Sequence, residues 1–433
     1  MTAEVAVMNK SGVALATDSA VTISHPTGSK IYHSVNKLFT LSKYHPVGIM
    51  IYGSASFMGV PWETIIKIYR KRLGDKDFAT LQEYASDFLT FLQDEHDLLF
   101  PKSEQVKYFG LIVHGYFAHE IKQQIESKIQ QVIDELGEIN KDRIEEVVSD
   151  TISEHLSDWE KDLSLPSVNE EKVQQFIQQN DELFQEIQNE AFSGYDLSDE
   201  TQAKLKRLVS YLFTKRRFLS FMYSGLVVAG YGNKEPFPQL YSYLLEVLIN
   251  GQLKYLEDTS RSQGITFDND VSIMTFAQSE MVSTFIDGIN PYYRETIGSY
   301  LSSLLSGYAE SVLDVIPGLS SEDKITLLDR LEQGNQKILQ DFAQSMVSYQ
   351  RENHSDPILV NVSYLPKDEL AKMAEALVNI TSFKRRVSVE AETVGGPIDV
   401  AVISKGDGFI WIKRKHYFEA KENPYFFNNY FRE

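Results

Sequence analysis

The stretch that decides the reading is Thr2-Ala3-Glu4-Val5-Ala6-Val7-Met8-Asn9-Lys10-Ser11-Gly12-Val13-Ala14-Leu15-Ala16-Thr17-Asp18. Ala3 to Met8 is mostly apolar and carries the β-branched residues Val5 and Val7. Asn9-Lys10-Ser11-Gly12 is turn chemistry, and Val13 to Thr17 is a second apolar run. Two such runs across a glycine-containing turn predict a β-hairpin. A polar loop with Pro26, Gly28 and Ser29 is expected next. Lys37 to Leu41 and Val47 to Gly53 then read as two more strands. Their near-continuous hydrophobicity implies burial on both faces.

Beyond this stretch the period changes. Trp62, Ile65, Ile66, Tyr69 and Leu73 repeat at helical spacing just after Pro61, and Leu81, Tyr84, Ala85, Phe88 and Leu92 form a second stripe. From about 119 to 212 the composition shifts to Glu, Gln, Lys and Asp with intermittent Ile, Val and Leu, which predicts amphipathic helices laced with i,i+4 ion pairs. Strands return at 224–230 and 239–243 and continue to about 276. Residues 281–355 read as mainly helical, and Leu370 to Ile380 as a further helix. Ile398 to Ile403 and Gly408 to Ile412 are the last strands, around the turn Ser404-Lys405-Gly406-Asp407. The tail from 417 is aromatic and polar, with Phe426, Phe427, Tyr430 and Phe431.

The bulk properties narrow the function classes. The chain has 433 residues, 42% of them hydrophobic and 12% aromatic, enough apolar material to exclude global disorder. Its 42 basic and 61 acidic residues give a net charge of −19, which disfavours nucleic acid and acidic membrane surfaces as general partners. With 0 cysteines there are no disulfides, thiolate nucleophiles or cysteine-based metal sites. No secretory signal and no apolar run of the roughly 18–20 residues needed to span a bilayer is visible, so a cytoplasmic protein is expected. The 9 histidines include no His-Glu-x-x-His pair, and no phosphate loop or dinucleotide motif occurs, so neither metal nor cofactor is expected. Glu95-His96-Asp97 reads as a solvated loop cluster, and Lys384-Arg385-Arg386 as a helix end, where cations suit the dipole.

The start of the chain carries the chemistry. Removal of Met1 would leave Thr2 with both a hydroxyl and a free α-amine, whose reference pKa of roughly 7.7–8 lets it serve as an intramolecular base. Such a site also needs a cation, a carboxylate to hold that cation, and a donor for the tetrahedral oxyanion. Asp18 ends the second strand, Lys37 begins the third, and Gly53 ends the fourth. Singly, each has a plainer reading. Asp18 is a turn carboxylate, Lys37 a solvated lysine with Lys30 as a competitor, and Gly53 a turn glycine. In this order they form a constellation.

That ordered set resembles the proteasome β subunits and their bacterial peptidase relatives, which are N-terminal-nucleophile hydrolases. The resemblance covers about 1–75, 220–290 and 365–415, and includes Gly395-Gly396 before the final strand pair. It implies a four-layer α-β-β-α sandwich: an α+β fold of two antiparallel sheets flanked by helices. It also implies Thr2 as nucleophile and base, Lys37 as the cation that lowers the hydroxyl's effective pKa, Asp18 as its partner, and the Gly53 N–H as an oxyanion donor. Two departures stand out. The family's Gly-Ser-Gly-like turn reads here Phe276-Ala277-Gln278-Ser279-Glu280, with Ser279 displaced by one residue or Gln278 in its place. Glu390, Glu392, Thr393 and Val394 stand where the family has Asp and Ser, with Glu392 or Thr393 as substitutes.

The expected organisation is a discontinuous core of 1–90, 215–290 and 362–416, helical insertions at 91–214 and 291–361, and an aromatic tail at 417–433. The expected function is hydrolysis of peptide bonds through a Thr2 acyl-enzyme. The alternatives are a small-molecule amidohydrolase on the same fold and a non-catalytic scaffold. A homo-oligomer is expected from the relatives' rings and from an aromatic tail able to dock on a neighbour. The acidic helical stretch is a candidate surface for a partner protein.

Overall fold

The computed structural model describes residues 3–25, 28–94, 96–219, 223–388 and 394–431. The chain divides into two compact units, one drawn from 1–35, 265–404 and 410–433, the other from 36–264 and 405–409.

The first unit is built on the N-terminal hairpin. Strand β1 (Ala3–Asn9) pairs antiparallel with β2 (Gly12–Thr17) and, on its other edge, with β13 (Val271–Ala277). Strand β14 (Asp399–Ser404) pairs with β2, and β15 (Gly408–Lys413) completes the order β13-β1-β2-β14-β15. Every residue of β1 and β2 is buried. Helix α14 (Lys367–Val387) covers one face of this sheet. Its Leu370, Ala374, Leu377 and Val378 repeat at helical spacing and pack with Val5, Val7, Ala14 and Ala16, the alternate residues of the hairpin. Burying each such valine or leucine contributes roughly 1.5–3 kcal/mol. Asn9, buried at the turn, donates through Nδ2 to the carbonyls of Val362 and Leu365 at 3.0 and 2.8 Å, tying the hairpin to the end of α13 (Asp356–Ser363).

Strand β3 (Val21–His25) pairs antiparallel with β4 (Gly28–Tyr32), where the sequence reading expected a polar loop. The strand propensity of Val21, Thr22, Ile23 and Ile31 outweighs the turn residues around them. Pro26 lies outside the described residues. Helices α10 (Glu280–Asp287), α11 (Pro291–Asp314) and α12 (Ser321–Gln350) follow β13, with α11 and α12 packed on each other as an antiparallel pair. The tail carries α15 (Pro424–Phe431).

The second unit holds an antiparallel sheet ordered β11-β10-β9-β6-β5, with β12 (Gln263–Gly264) also on β10. Its strands are β5 (Leu38–Thr40), β6 (Val47–Gly53), β9 (Ser224–Gly230), β10 (Gln239–Ile249) and β11 (Gln252–Glu257). A small hairpin, β7 (Ser56–Phe57) with β8 (Val60–Pro61), leads into α1 (Trp62–Leu73), followed by α2 (Leu81–Asp94) and the short α3 (His96–Leu99). Residues 102–214 form α4 (Lys102–Tyr116), α5 (Gln123–Leu136), α6 (Lys141–Glu160), α7 (Glu170–Gln179), α8 (Asp181–Ala191) and α9 (Asp199–Thr214).

These helices share one apolar core with the sheet. Phe109, Phe176, Phe184 and Phe213 belong to the same buried cluster as Ile49, Leu226 and Leu245. Aromatic edges organise it: Tyr69 meets Phe88 at 4.8 Å and 88°. One ion pair is sunk in this core. Lys254 Nζ donates to Glu246 at 2.5 Å and to the carbonyls of Leu212 and Arg217 at 2.6 and 2.7 Å.

The chain is therefore a mixed α+β protein of antiparallel sheets and helices. Among the described residues, no helix is long and apolar enough to cross a membrane.

Candidate active site

Asp18 is the centre of the first unit's polar chemistry. It is fully buried and directly follows β2. Its Oδ1 accepts the Ala3 N–H at 3.1 Å, and its Oδ2 accepts the N–H groups of Ala20 and Gly395, each at 3.1 Å. Its own N–H donates to the Ala3 carbonyl at 3.1 Å. Three backbone donors on one carboxylate are charge-assisted bonds, the strong kind, and they fix both oxygens.

The neighbouring residues extend this node. Ser19 donates its N–H to the Gly395 carbonyl at 3.1 Å and its hydroxyl to the Pro397 carbonyl, while its carbonyl accepts the Val35 N–H at 3.2 Å. Gly396 has φ +79°, and a Cβ there would fall 2.8 Å from the Cβ of His33. Gly396 is thus required for this close approach, whereas a Cβ at Gly395 would make only ordinary contact with His33, at 3.6 Å. Three segments far apart in sequence, at 3, 18–20 and 395–397, are joined around the Asp18 carboxylate.

Thr2 itself lies outside the described residues, as do Glu390, Glu392 and Thr393. What the structure shows is the residue after Thr2. Ala3 pairs in register with Ala277, the last residue of β13, which has φ +65°. Ser279, half-buried, comes two residues beyond that pair and precedes α10. Its flanks are pinned to α14: Gln278 Oε1 accepts from Arg385 Nε at 2.8 Å, and Glu280 is bonded to Lys384. Asn290 Nδ2 also donates to Glu280, at 2.5 Å. The Lys384 hydrogen bond, followed by that of Asn290, holds the Glu280 carboxyl below the usual carboxylate range despite partial burial. The basic helix end read from the sequence thus orders the turn that carries Ser279.

Lys37 and Gly53 belong to the second unit. Lys37 is buried and immediately precedes β5, with its carbonyl accepting the Ile51 N–H at 2.9 Å. Lys30, the competitor, is exposed. Gly53 ends β6, is exposed, and has φ +78°; an added Cβ would meet the Tyr223 carbonyl oxygen at 2.8 Å. Its register partner is Ser224. The Ser224 hydroxyl accepts from Trp62 Nε1 at 3.0 Å and donates to the Ser54 carbonyl at 3.3 Å. Ser224, itself held by Trp62, thus anchors the Ser54 carbonyl one residue beyond Gly53, and sequence reading missed both in this role. The signal available was the length of the apolar run opening with Ser224, which marked a strand but not its register.

Among the described residues no group of three or more His, Asp or Glu side chains is arranged to hold a metal ion.

No model of a known protein family matches this chain, and no curated protein matches it. Solved structures that match include Anbu (ancestral beta-subunit) from Yersinia bercovieri, at 11% identity over 99% of this chain and 91% of that chain, with a TM-score of 0.27. Two others are the helical assembly of the Anbu complex from Pseudomonas aeruginosa (10% identity, 99% and 93% covered, TM-score 0.27) and Anbu from Hyphomicrobium sp. strain MC1 (10% identity, 98% and 94% covered, TM-score 0.26). These values correct the family expectation. The neighbours are Anbu proteins at marginal structural similarity, and membership among the N-terminal-nucleophile hydrolases is not established by them. The physical reason is that four residues in order are a short signal, whereas family membership is carried by the packing of a whole core.

Proposed function

We propose that Thr2, once it is the first residue of the mature chain, is the nucleophile of an amide-bond hydrolase. The observation that carries this reading is the Asp18 carboxylate bonded to the backbone of Ala3, with Ala20 and Gly395 held on its other oxygen. A buried carboxylate with three backbone donors holds the backbone of Ala3, the residue next to Thr2, and rigid placement of a nucleophile is what this chemistry requires. Lys37 and Gly53 enter on their order in the sequence, as cation and oxyanion donor. The four-layer stacking of sheets and helices, the peptide nature of the substrate and a role of Ser279 in ordering the amine belong to the same proposal.

The reaction balances without a cofactor. The Thr2 Oγ adds to the substrate carbonyl while its proton passes to the α-amine. The tetrahedral oxyanion collapses, the C–N bond breaks, and the departing amine takes that proton. Water then adds to the Thr2 ester, and the amine again carries the proton, regenerating the hydroxyl. A positioned base contributes roughly 10²–10⁴-fold and an oxyanion donor roughly 10²–10³-fold.

The test is intact mass, on protein with a native start and any tag at the C-terminus, before and after an epoxyketone that reacts with both the hydroxyl and the free amine of a terminal threonine. Loss of Met1 with one adduct, absent in Thr2→Ala, is expected. Retained Met1, or an adduct that survives Thr2→Ala, would overturn the proposal and leave a binding scaffold as the better description.

A further inference from the structure

Helices α11 and α12 leave a continuous apolar face open. In α11, Leu301, Leu305, Ala309 and Leu313 are spaced by four and are the less exposed set; the Leu305 carbonyl accepts from Asn335 Nδ2 of α12 at 3.0 Å. That is the seam between the two helices. Tyr293, Tyr300, Leu304 and Tyr308 fall at spacings of seven, four and four, forming a second stripe beside it. The three tyrosines are 62%, 70% and 66% exposed. Helix α12 repeats the arrangement. Leu328, Asn335 and Leu339 are half-buried, while Ile338, Phe342, Met346 and Tyr349 form an exposed stripe at spacings of four, four and three.

At about 100° per residue, the outer stripe of each helix lies on the same rotational side of its inner stripe. Because the helices are antiparallel, that places both outer stripes on one face of the pair. The segment Thr296 to Ala309 contains no charged residue.

We propose that this face binds the same face of a second copy of the chain, making a two-fold, four-helix contact. Three features favour that occupant. First, the area fits: at roughly 200 Å² per aromatic side chain, the open parts of the two stripes come to about 800 Å², the share that each partner of a stable dimer contributes. Second, a two-fold contact needs a surface that complements itself, and a face of tyrosine, leucine, isoleucine, phenylalanine and methionine without charge does so, whereas a charged patch would repel its copy. Third, the surroundings disfavour an anionic lipid surface, because residues 291–350 hold 8 acidic and 4 basic residues, a net −4.

The test uses the full chain. Sedimentation or light scattering is expected to show a dimer at micromolar concentration. Tyr300→Glu with Leu304→Glu is expected to raise the dissociation constant at least about 100-fold by placing charge in an apolar contact, with helix content unchanged by circular dichroism. Ser299→Glu, exposed on the opposite side of α11, is expected to leave it unchanged. A second readout does not depend on the double variant folding. The chain has 0 cysteines, so Leu304→Cys can form a disulfide only with another copy. Mild oxidation is expected to give a covalent dimer with Leu304→Cys and not with Ser299→Cys. A monomer up to roughly 100 µM, a dimer indifferent to the paired glutamates, or a monomer that instead sediments with phosphatidylserine vesicles would each overturn the proposal.

Discussion

Asp18 and Ala3 are bonded to each other twice, the Asp18 N–H to the Ala3 carbonyl and the Ala3 N–H to Asp18 Oδ1, both at 3.1 Å. The carboxylate's other oxygen is taken by Ala20 and Gly395. Asp18→Asn keeps one acceptor oxygen and turns an NH₂ group toward backbone donors. It should lower stability by about 2–4 kcal/mol, because buried N–H groups lose a charged acceptor. Urea unfolding measures the loss. The same variant should also slow epoxyketone labelling of Thr2 at a denaturant concentration where it remains folded.

Lys37 is buried, and its proposed role is to bias the proton of Thr2. Lys37→Met should cut the labelling rate by about 10²–10⁴-fold while Met1 removal proceeds as before. Equal labelling rates for the variant and the parent protein would remove Lys37 from the mechanism and return attention to Lys30.

Gly53→Ala should be costly on two counts. The residue has φ +78°, and the added methyl would sit 2.8 Å from the Tyr223 carbonyl oxygen. Backbone strain of about 1–3 kcal/mol is expected from the first alone. Thermal unfolding should register it, with labelling lost in parallel if the Gly53 N–H serves the oxyanion.

Glu280 supplies a pH dependence. Its hydrogen bond from Lys384 lowers its carboxyl pKa in the folded chain. The folded state therefore binds fewer protons than the unfolded chain in the interval between the two values. Its contribution is complete above the ordinary carboxylate pKa of roughly 4.3 and is lost as pH falls through the lower folded value. Glu280→Gln should remove this part of the acid sensitivity. Stability measured between pH 6 and pH 3, about the ordinary value, should fall less steeply in the variant than in the parent protein.

The Glu246–Lys254 pair should behave non-additively. Glu246 Oε1 also accepts the Leu219 N–H at 2.5 Å, so the pair clamps residues 212–219 to the β10–β11 hairpin. Burial pushes the Lys254 ammonium's pKa down, and Glu246 opposes that. Glu246→Gln leaves a buried ammonium without its counter-charge and should cost about 3–5 kcal/mol. The double change Glu246→Leu with Lys254→Met should cost less than the two single changes together, which a double-mutant cycle reads directly.

Two apolar runs across a turn made the N-terminal hairpin legible, a near-continuous apolar run did the same for β6, and stripes at helical spacing did so for α1, α2 and α14. These signals are local: which residues are apolar, and at what period. The pairing of β3 with β4 was missed because the turn residues there were weighed above the β-branched ones. Ser224 and Trp62 were missed because their meaning depends on strand register and on a helix arriving from elsewhere. The family reading failed to become membership for a related reason, since motif order is local and the packing that defines a family is not.

The sequence by itself determined that this chain folds as β-strands, the first two joined as a hairpin, and amphipathic helices, because hydrophobic period dictates which backbone geometry can bury its apolar side. Only the tertiary structure decided that Asp18 holds Ala3 and Gly395 on one carboxylate, residues 377 positions apart in sequence in the second case. It likewise decided that residues 102–214 share a core with the sheet, and that α11 and α12 turn one apolar face outward. Those are properties of distance in space. A chain's order constrains them only through the sum of many weak contacts, none of which is written at a single position.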